Sequence, residues 1–298
     1  MEKEIGKLKK EKGAVILAHN YQLPEIQDMA DFIGDSLELA RKSAEIKCKL
    51  LVFCGVKFMA ETAKILSPEK KVLLPEIDAG CPLADMAQPE KVMEFKEKHP
   101  DAWIVSYVNT SAEVKAVTDV CCTSANADRV VQNVPVKKVI FLPDKNLCGY
   151  VRKRVPEKEI LCWDGYCYVH DRFTEYEVRK AREIHPDAEI LVHPECRQEV
   201  QELADGIYST SGILRRARET ESRKLIIGTE EGMIYRLKKE NPEKEFYSLG
   251  APKICYNMKK ITLKSLKTAL AEEKYEITLP EEIMTKARLS LERMIEYI

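Results

Sequence analysis

The sequence predicts an α/β protein of three similar units, each a parallel sheet covered by helices on both faces. Three observations carry this reading. Strand-like and helix-like segments alternate along the chain, the alternation repeats at about 86 residues, and the same polar landmarks recur at matching offsets in every repeat. Alternation of this kind builds parallel sheets from βαβ connections, and a period this long fits a small domain better than a solenoid turn.

The repeat is anchored at the ends of AVILAHNY, AWIVSYVN and AEILVHPE, on His19, Tyr107 and His193. Twelve residues on from each anchor lies an aspartate (Asp31, Asp119, Asp205), and seventeen on lies a hydroxyl (Ser36, Ser124, Thr210). A second apolar strand ends 35 residues on, at Cys54, Leu142 and Gly228. A cysteine follows at 62, 60 and 62 residues: Cys81, Cys167 and Cys255.

Each unit opens on a charged helix (EKEIGKLKKE, EKVMEFKEKH, EYEVRKAREI) that leads into the first strand. A short helix, the Asp–hydroxyl turn, a second helix and the second strand come next. Another helix (MAETAKIL, NLCGYVRK, GMIYRLKK), a third strand and the cysteine loop complete the unit. The boundaries fall at residues 1–86, 87–171 and 172–258. Residues 259–298 lie outside the repeat and form a helical segment packing on the assembly, with Pro280 opening its second helix.

Composition narrows the class. Of 298 residues, 45% are hydrophobic and 33% charged, as in an ordinary globular protein. A formal net charge of -1 gives no broad attraction to nucleic acid or anionic membrane. No apolar run approaches the roughly 18 residues of a membrane span, and the opening MEKEIGKLKKEKG has no apolar leader core. The reading is a cytoplasmic protein. Its ten cysteines then form no disulfide framework, and with no CxxC present any metal site is assembled from distant loops.

Three units meeting around a pseudo-threefold axis bring their equivalent loops together. Cys81, Cys167 and Cys255 then face one another, a donor set suited to an iron–sulfur cluster or zinc. Three cysteines on a [4Fe–4S] cluster leave one iron open as a Lewis acid. The other seven cysteines have no threefold counterpart and read as core or surface. Ser36, Ser124 and Thr210, with its neighbour Ser209, stand at helix N-termini, where free N–H groups attract anions. Asp31, Asp119 and Asp205 read as structural turn residues.

The catalytic candidates cluster at the strand ends, where α/β sheets bind ligands. They are His19, Asn20 and Tyr21; Tyr107, Asn109, Thr110 and Ser111; and His193, Glu195 and Cys196. Histidine, glutamate and tyrosine transfer protons. His170 follows Cys167 closely, whereas His99 and His185 read as solvent-facing residues at helix ends.

Long motifs in order, among them LAHNYQLPEIQDMADFIGDSLELA, GVKFMAE, CPLADM, YVNTSAEVKA, CTSANA, HPEC, STSG, GTEEGMIYRLKKENPEKEF and ICYNMKK, resemble the quinolinate synthase family from about residue 14 to the end. The resemblance implies three αβα three-layer domains around a central active site and a [4Fe–4S] cluster on Cys81, Cys167 and Cys255. It implies condensation of iminoaspartate with dihydroxyacetone phosphate to quinolinate, the pyridine precursor of NAD, with release of phosphate and two waters. Tyr21 and Glu195 would transfer protons, and Tyr107 would activate substrate oxygens. His19, Ser36, Asn109, Ser124, His193, Ser209 and Thr210 would hold carboxylates and phosphate, with Met59 and Met258 in the pocket wall. An aspartate oxidase or dehydrogenase would supply iminoaspartate. The chain departs from the family's C-P-V-H pattern at Tyr168, which follows Cys167. An iron–sulfur hydro-lyase, a cluster-based sensor and a three-cysteine zinc protein are the alternatives.

Overall fold

The computed structural model describes residues 1–297. Twelve strands form three separate sheets of four strands each, and every pairing within a sheet is parallel. The first sheet contains β1 (Ala14–His19), β2 (Phe32–Gly34), β3 (Leu50–Cys54) and β4 (Lys71–Leu73). The second contains β5 (Trp103–Tyr107), β6 (Val120–Cys122), β7 (Lys138–Leu142) and β8 (Glu159–Cys162). The third contains β9 (Glu189–Val192), β10 (Gly206–Ile207), β11 (Lys224–Gly228) and β12 (Glu245–Ser248). Each has the order second, first, third, fourth.

The repeat extends to hydrogen-bond register. Val15 faces Leu51, Trp103 faces Val139 and Glu189 faces Leu225, at one and the same place in their sheets. The central strands β3, β7 and β11 are apolar and almost wholly buried, as strands covered on both faces must be. Helices flank each sheet, giving three αβα units.

The sequence reading had three strands per unit, whereas the structure has four. The additional strand (β2, β6 or β10) lies where the Asp–hydroxyl turn was expected. It is two or three residues long, too short to display a period-two pattern. The three repeated aspartates secure it. Asp31, Asp119 and Asp205 accept from the backbone N–H of Ile16, Ile104 and Ile190 at 2.8, 2.8 and 2.7 Å. The same three isoleucine carbonyls accept the aspartate N–H groups at 2.8, 3.0 and 2.9 Å. Each carboxylate thus continues the ladder one residue before the edge strand begins.

Two further expectations change. Cys148, on helix Lys145–Arg154, and Cys162, at the end of β8, form a disulfide. The helix packs back along the strand it precedes, which brings the two within reach. His99 and His185 are half-buried rather than free in solvent: His99 meets Phe95 edge-on and His185 stacks on Tyr247.

At the C-terminus, helix Leu263–Glu272 lies against the N-terminal helix Glu2–Lys12, and helix Glu281–Glu296 packs on β6 and helix Ala112–Ala116. No helix among the described residues is long and apolar enough to cross a membrane.

Candidate active site

The carboxyl ends of the first strands of all three sheets open onto one central cavity. His19 ends β1 with Tyr21 in the loop beyond, Tyr107 ends β5 with Asn109 beyond, and His193 and Glu195 follow β9; all six side chains line the cavity. Ser36, Ser124 and Thr210 line it from the next turns, and Cys81, Cys167 and Cys255 from the three cysteine loops. Met59 and Met258 contribute apolar wall. Its free volume is about 70 Å³, room for only a few waters.

Ser209 is the exception. It faces a neighbouring groove and caps helix Thr210–Glu219, accepting from Gly212 N at 3.2 Å. The other hydroxyls do not cap. Asp35 caps the helix that Ser36 begins, accepting from Leu37 N and Glu38 N at 3.0 and 2.9 Å. Ser124 lies two residues before the cap position, Asn126. Ser36 is thereby left available to a ligand, while Ser124 Oγ lies 3.2 Å from His193 Nε2.

The strand-end loops are held by a repeated brace. Eight residues beyond each anchor stands a buried donor: Gln27, Lys115 and Gln201. The Gln27 amide donates to the carbonyls of Asn20 and Gln22 at 3.1 and 2.9 Å. Gln201 does the same for Pro194 and Cys196 at 2.9 and 2.6 Å. Lys115 donates to the Thr110 carbonyl.

A hydrogen-bonded chain crosses the cavity between units. Tyr21 Oη lies 2.6 Å from Thr229 Oγ1, which lies 2.8 Å from His170 Nε2. The other ring nitrogen, His170 Nδ1, is 2.6 Å from Glu195 Oε2 and 3.2 Å from Cys167 Sγ. Cys167, His170 and Glu195 therefore place donor atoms within 4.8 Å of one another, both contacts being made to His170 Nδ1. Glu195 Oε1 and Asn109 Oδ1 are buried without a protein partner, as acceptors awaiting a ligand would be.

The chain matches the family model described as Quinolinate synthetase A protein over residues 3–296. It is 54% identical to the quinolinate synthase of Thermodesulfovibrio yellowstonii, across 99% of this chain and 97% of that one. It is 55% identical to that of Caldicellulosiruptor bescii (99% and 98% covered) and 50% identical to that of Aquifex aeolicus (99% and 94% covered). The chain belongs to the quinolinate synthase family. It is thus an enzyme by family, and the family implies a metal cluster.

The donor set fits such a group. Three thiols, one from each unit, line the one cavity, and burial pushes all three up, Cys81 to about 12. As soft donors from three separate loops they suit a metal that takes thiolates, each giving up its proton on binding.

The electrostatics of the cavity set two neutral histidines and two phenols around the Glu195 carboxylate. Burial lowers His19 and His193 to about 3, so both are neutral near pH 7. Tyr21 N–H donates to His19 Nδ1 at 3.2 Å and Glu195 N–H to His193 Nδ1 at 3.3 Å. Each ring proton therefore sits on Nε2. Burial alone would raise Glu195, but the His170 ring beside it brings the carboxyl below its usual range. Burial raises both Tyr21 and Tyr107.

Thr229, the middle of the hydrogen-bonded chain, was not legible in the sequence. The equivalent places in the other units hold Gly55 and Pro143, so the repeat gave no signal for it. The Gln27–Lys115–Gln201 brace had such a signal in its constant offset of eight. Tyr168 lines the cavity, and its hydroxyl accepts from Tyr256 N at 2.9 Å.

Proposed function

We propose that this cavity condenses iminoaspartate with dihydroxyacetone phosphate, giving quinolinate, phosphate and two waters. The observation that carries the proposal is the Tyr21–Thr229–His170–Glu195 chain, which passes beside Cys167 in a cavity that Cys81 and Cys255 also line. Condensation, elimination and ring closure need several proton transfers in one enclosed place. This chain offers a carboxylate at one end and a phenol at the other.

Both substrates are anions, and the cavity wall answers with neutral donors. His19 presents its Nε2–H group and His193 donates through its own to Ser124 Oγ, while Ser36, Ser124, Asn109 and Thr210 add hydroxyl and amide hydrogens for carboxylate and phosphate oxygens. Ser209 acts at one remove, by capping the helix that carries Thr210. Tyr107 is assigned to a substrate hydroxyl or carbonyl oxygen, Tyr21 and Glu195 to proton transfer. A [4Fe–4S] cluster on Cys81, Cys167 and Cys255 would supply an open iron as a Lewis acid. Iminoaspartate is unstable, so an aspartate oxidase or dehydrogenase supplies it nearby, in the cytoplasm.

A second reading rests on the proximity of Cys167, His170 and Glu195: a single zinc ion on those three. The test is an anaerobic assay of reconstituted protein with both substrates, in which iminoaspartate is generated freshly by an added oxidase. Quinolinate that disappears when either substrate is omitted is the expected result. Iron-loaded protein that makes none, beside an active quinolinate synthase, would contradict the reading; one zinc per chain would favour the second.

A further inference from the structure

The three cysteine loops share a backbone frame but not their supports. In each, an amide just past the central strand donates to a carbonyl two residues before the cysteine. The pairs are Lys57 to Ala79 at 2.8 Å, Lys145 to Gly165 at 2.8 Å and Glu231 to Lys253 at 3.1 Å. The residue preceding each donor lies 37 residues beyond the repeat anchor: Val56, Asp144 and Glu230.

The two acids are fully buried, and both reach the cysteine backbone. Asp144 Oδ2 accepts from Cys167 N at 2.9 Å while its Oδ1 accepts from Leu147 N at 2.8 Å. Glu230 Oε1 accepts from Cys255 N at 3.0 Å. Its Oε2 accepts from Gly232 N at 2.8 Å and from Lys259 Nζ at 3.0 Å. Tyr168 adds a tie between these two loops, since it follows Cys167 and its hydroxyl accepts from Tyr256 N, next to Cys255. In the first unit Val56 stands in the acid's place and offers no acceptor. Among the described residues no side chain accepts from the Cys81 N–H; its loop opens helix Pro82–Asp85, with Asp85 N donating to the Cys81 carbonyl at 3.1 Å.

We propose that Asp144 and Glu230, joined by Tyr168, are positioning residues that hold Cys167 and Cys255 as a prearranged pair. Cys81 is the unbraced ligand, the last to close on the cluster and the first to leave it. The inference rests on the reading of these cysteines as cluster ligands. Holding the backbone N–H of a ligand fixes where its sulfur points, as outer groups do at other metal sites.

The experiment uses the iron-loaded protein, challenged anaerobically with an iron chelator in the presence of N-ethylmaleimide and sampled over time by peptide mass. Cys81 is trapped first, at least about fivefold ahead of the other two. Asp144→Asn can offer its one oxygen to Cys167 N or to Leu147 N but not both, so Cys167 alone catches up with Cys81. Glu230→Gln does the same to Cys255 alone, and Tyr168→Phe advances the Cys167–Cys255 pair together. Equal trapping of all three cysteines in the parent, or variants that speed all three alike, would overturn the inference while leaving the cluster intact as a reading. Protein that takes up no iron would overturn both.

Discussion

The hydroxyl of Tyr21, from the first unit, lies 2.6 Å from that of Thr229, from the third. Burial raises Tyr21, so its proton is retained and handed on only with help. Tyr21→Phe removes the transferable proton but keeps the ring that meets His19 edge-on. Quinolinate formation should fall by about 10²–10⁴-fold, in the range for loss of a general acid or base, with iron content unchanged. Thr229→Val, which breaks the relay but leaves both its ends, should cost less. Full turnover in both variants would remove the relay.

Glu195 is the carboxylate end, with Oε2 on His170 and Oε1 unpartnered. Glu195→Gln retains the shape and loses the basicity. The expected outcome is at least about a 10²-fold fall in kcat with little change in KM, read by steady-state kinetics on the reconstituted protein. A change confined to KM would make Glu195 a binding group instead.

Neutral buried histidines make stability depend on pH. His19 and His193 are held at about 3 by burial, against about 6.5 in an unfolded chain. The unfolded state therefore binds more protons below pH 6.5. Stability is unaffected by these groups above 6.5 and declines as pH falls from there towards 3. At pH 5 the penalty is about 2 kcal/mol for each histidine. Denaturant unfolding from pH 7.5 to 5 should show a shallower decline for His193→Asn than for the parent. Parallel curves would mean that His193 is not held neutral.

The repeated aspartates predict an effect on stability alone. Asp119→Ala leaves the Ile104 N–H, which is buried, without its carboxylate. The cost should be about 1–3 kcal/mol of unfolding free energy, with kcat and KM unchanged in the protein that remains folded. A kinetic defect at full stability would move Asp119 from scaffold to site.

How much of this was legible can be argued from those same residues. The landmarks that repeat were visible because each unit needs them: the aspartate to seat an edge strand, the strand-end polar residue, the cysteine loop. Features found in a single unit were invisible to that logic. The Cys148–Cys162 disulfide is one, since the equivalent positions are Ala60 and Leu74 in the first unit and Ile234 and Ser248 in the third. Thr229 is another. The hydroxyls were legible as a class but not in their division of labour. A helix start offers several adjacent polar residues, and only backbone geometry decides that Asp35 and Ser209 cap while Ser36 and Ser124 are spared. The edge strands were missed because two or three residues carry no periodicity.

The central claim is that one loop from each unit contributes one cysteine to a shared cluster. Iron and acid-labile sulfide counted in anaerobically reconstituted protein, beside Cys81→Ala, Cys167→Ala, Cys255→Ala and Cys48→Ala, test it most directly. The account predicts about four irons and four sulfides per chain in the parent and in Cys48→Ala, and loss of the cluster in each of the other three. Normal iron in any of those three, or zinc in the parent, would contradict it.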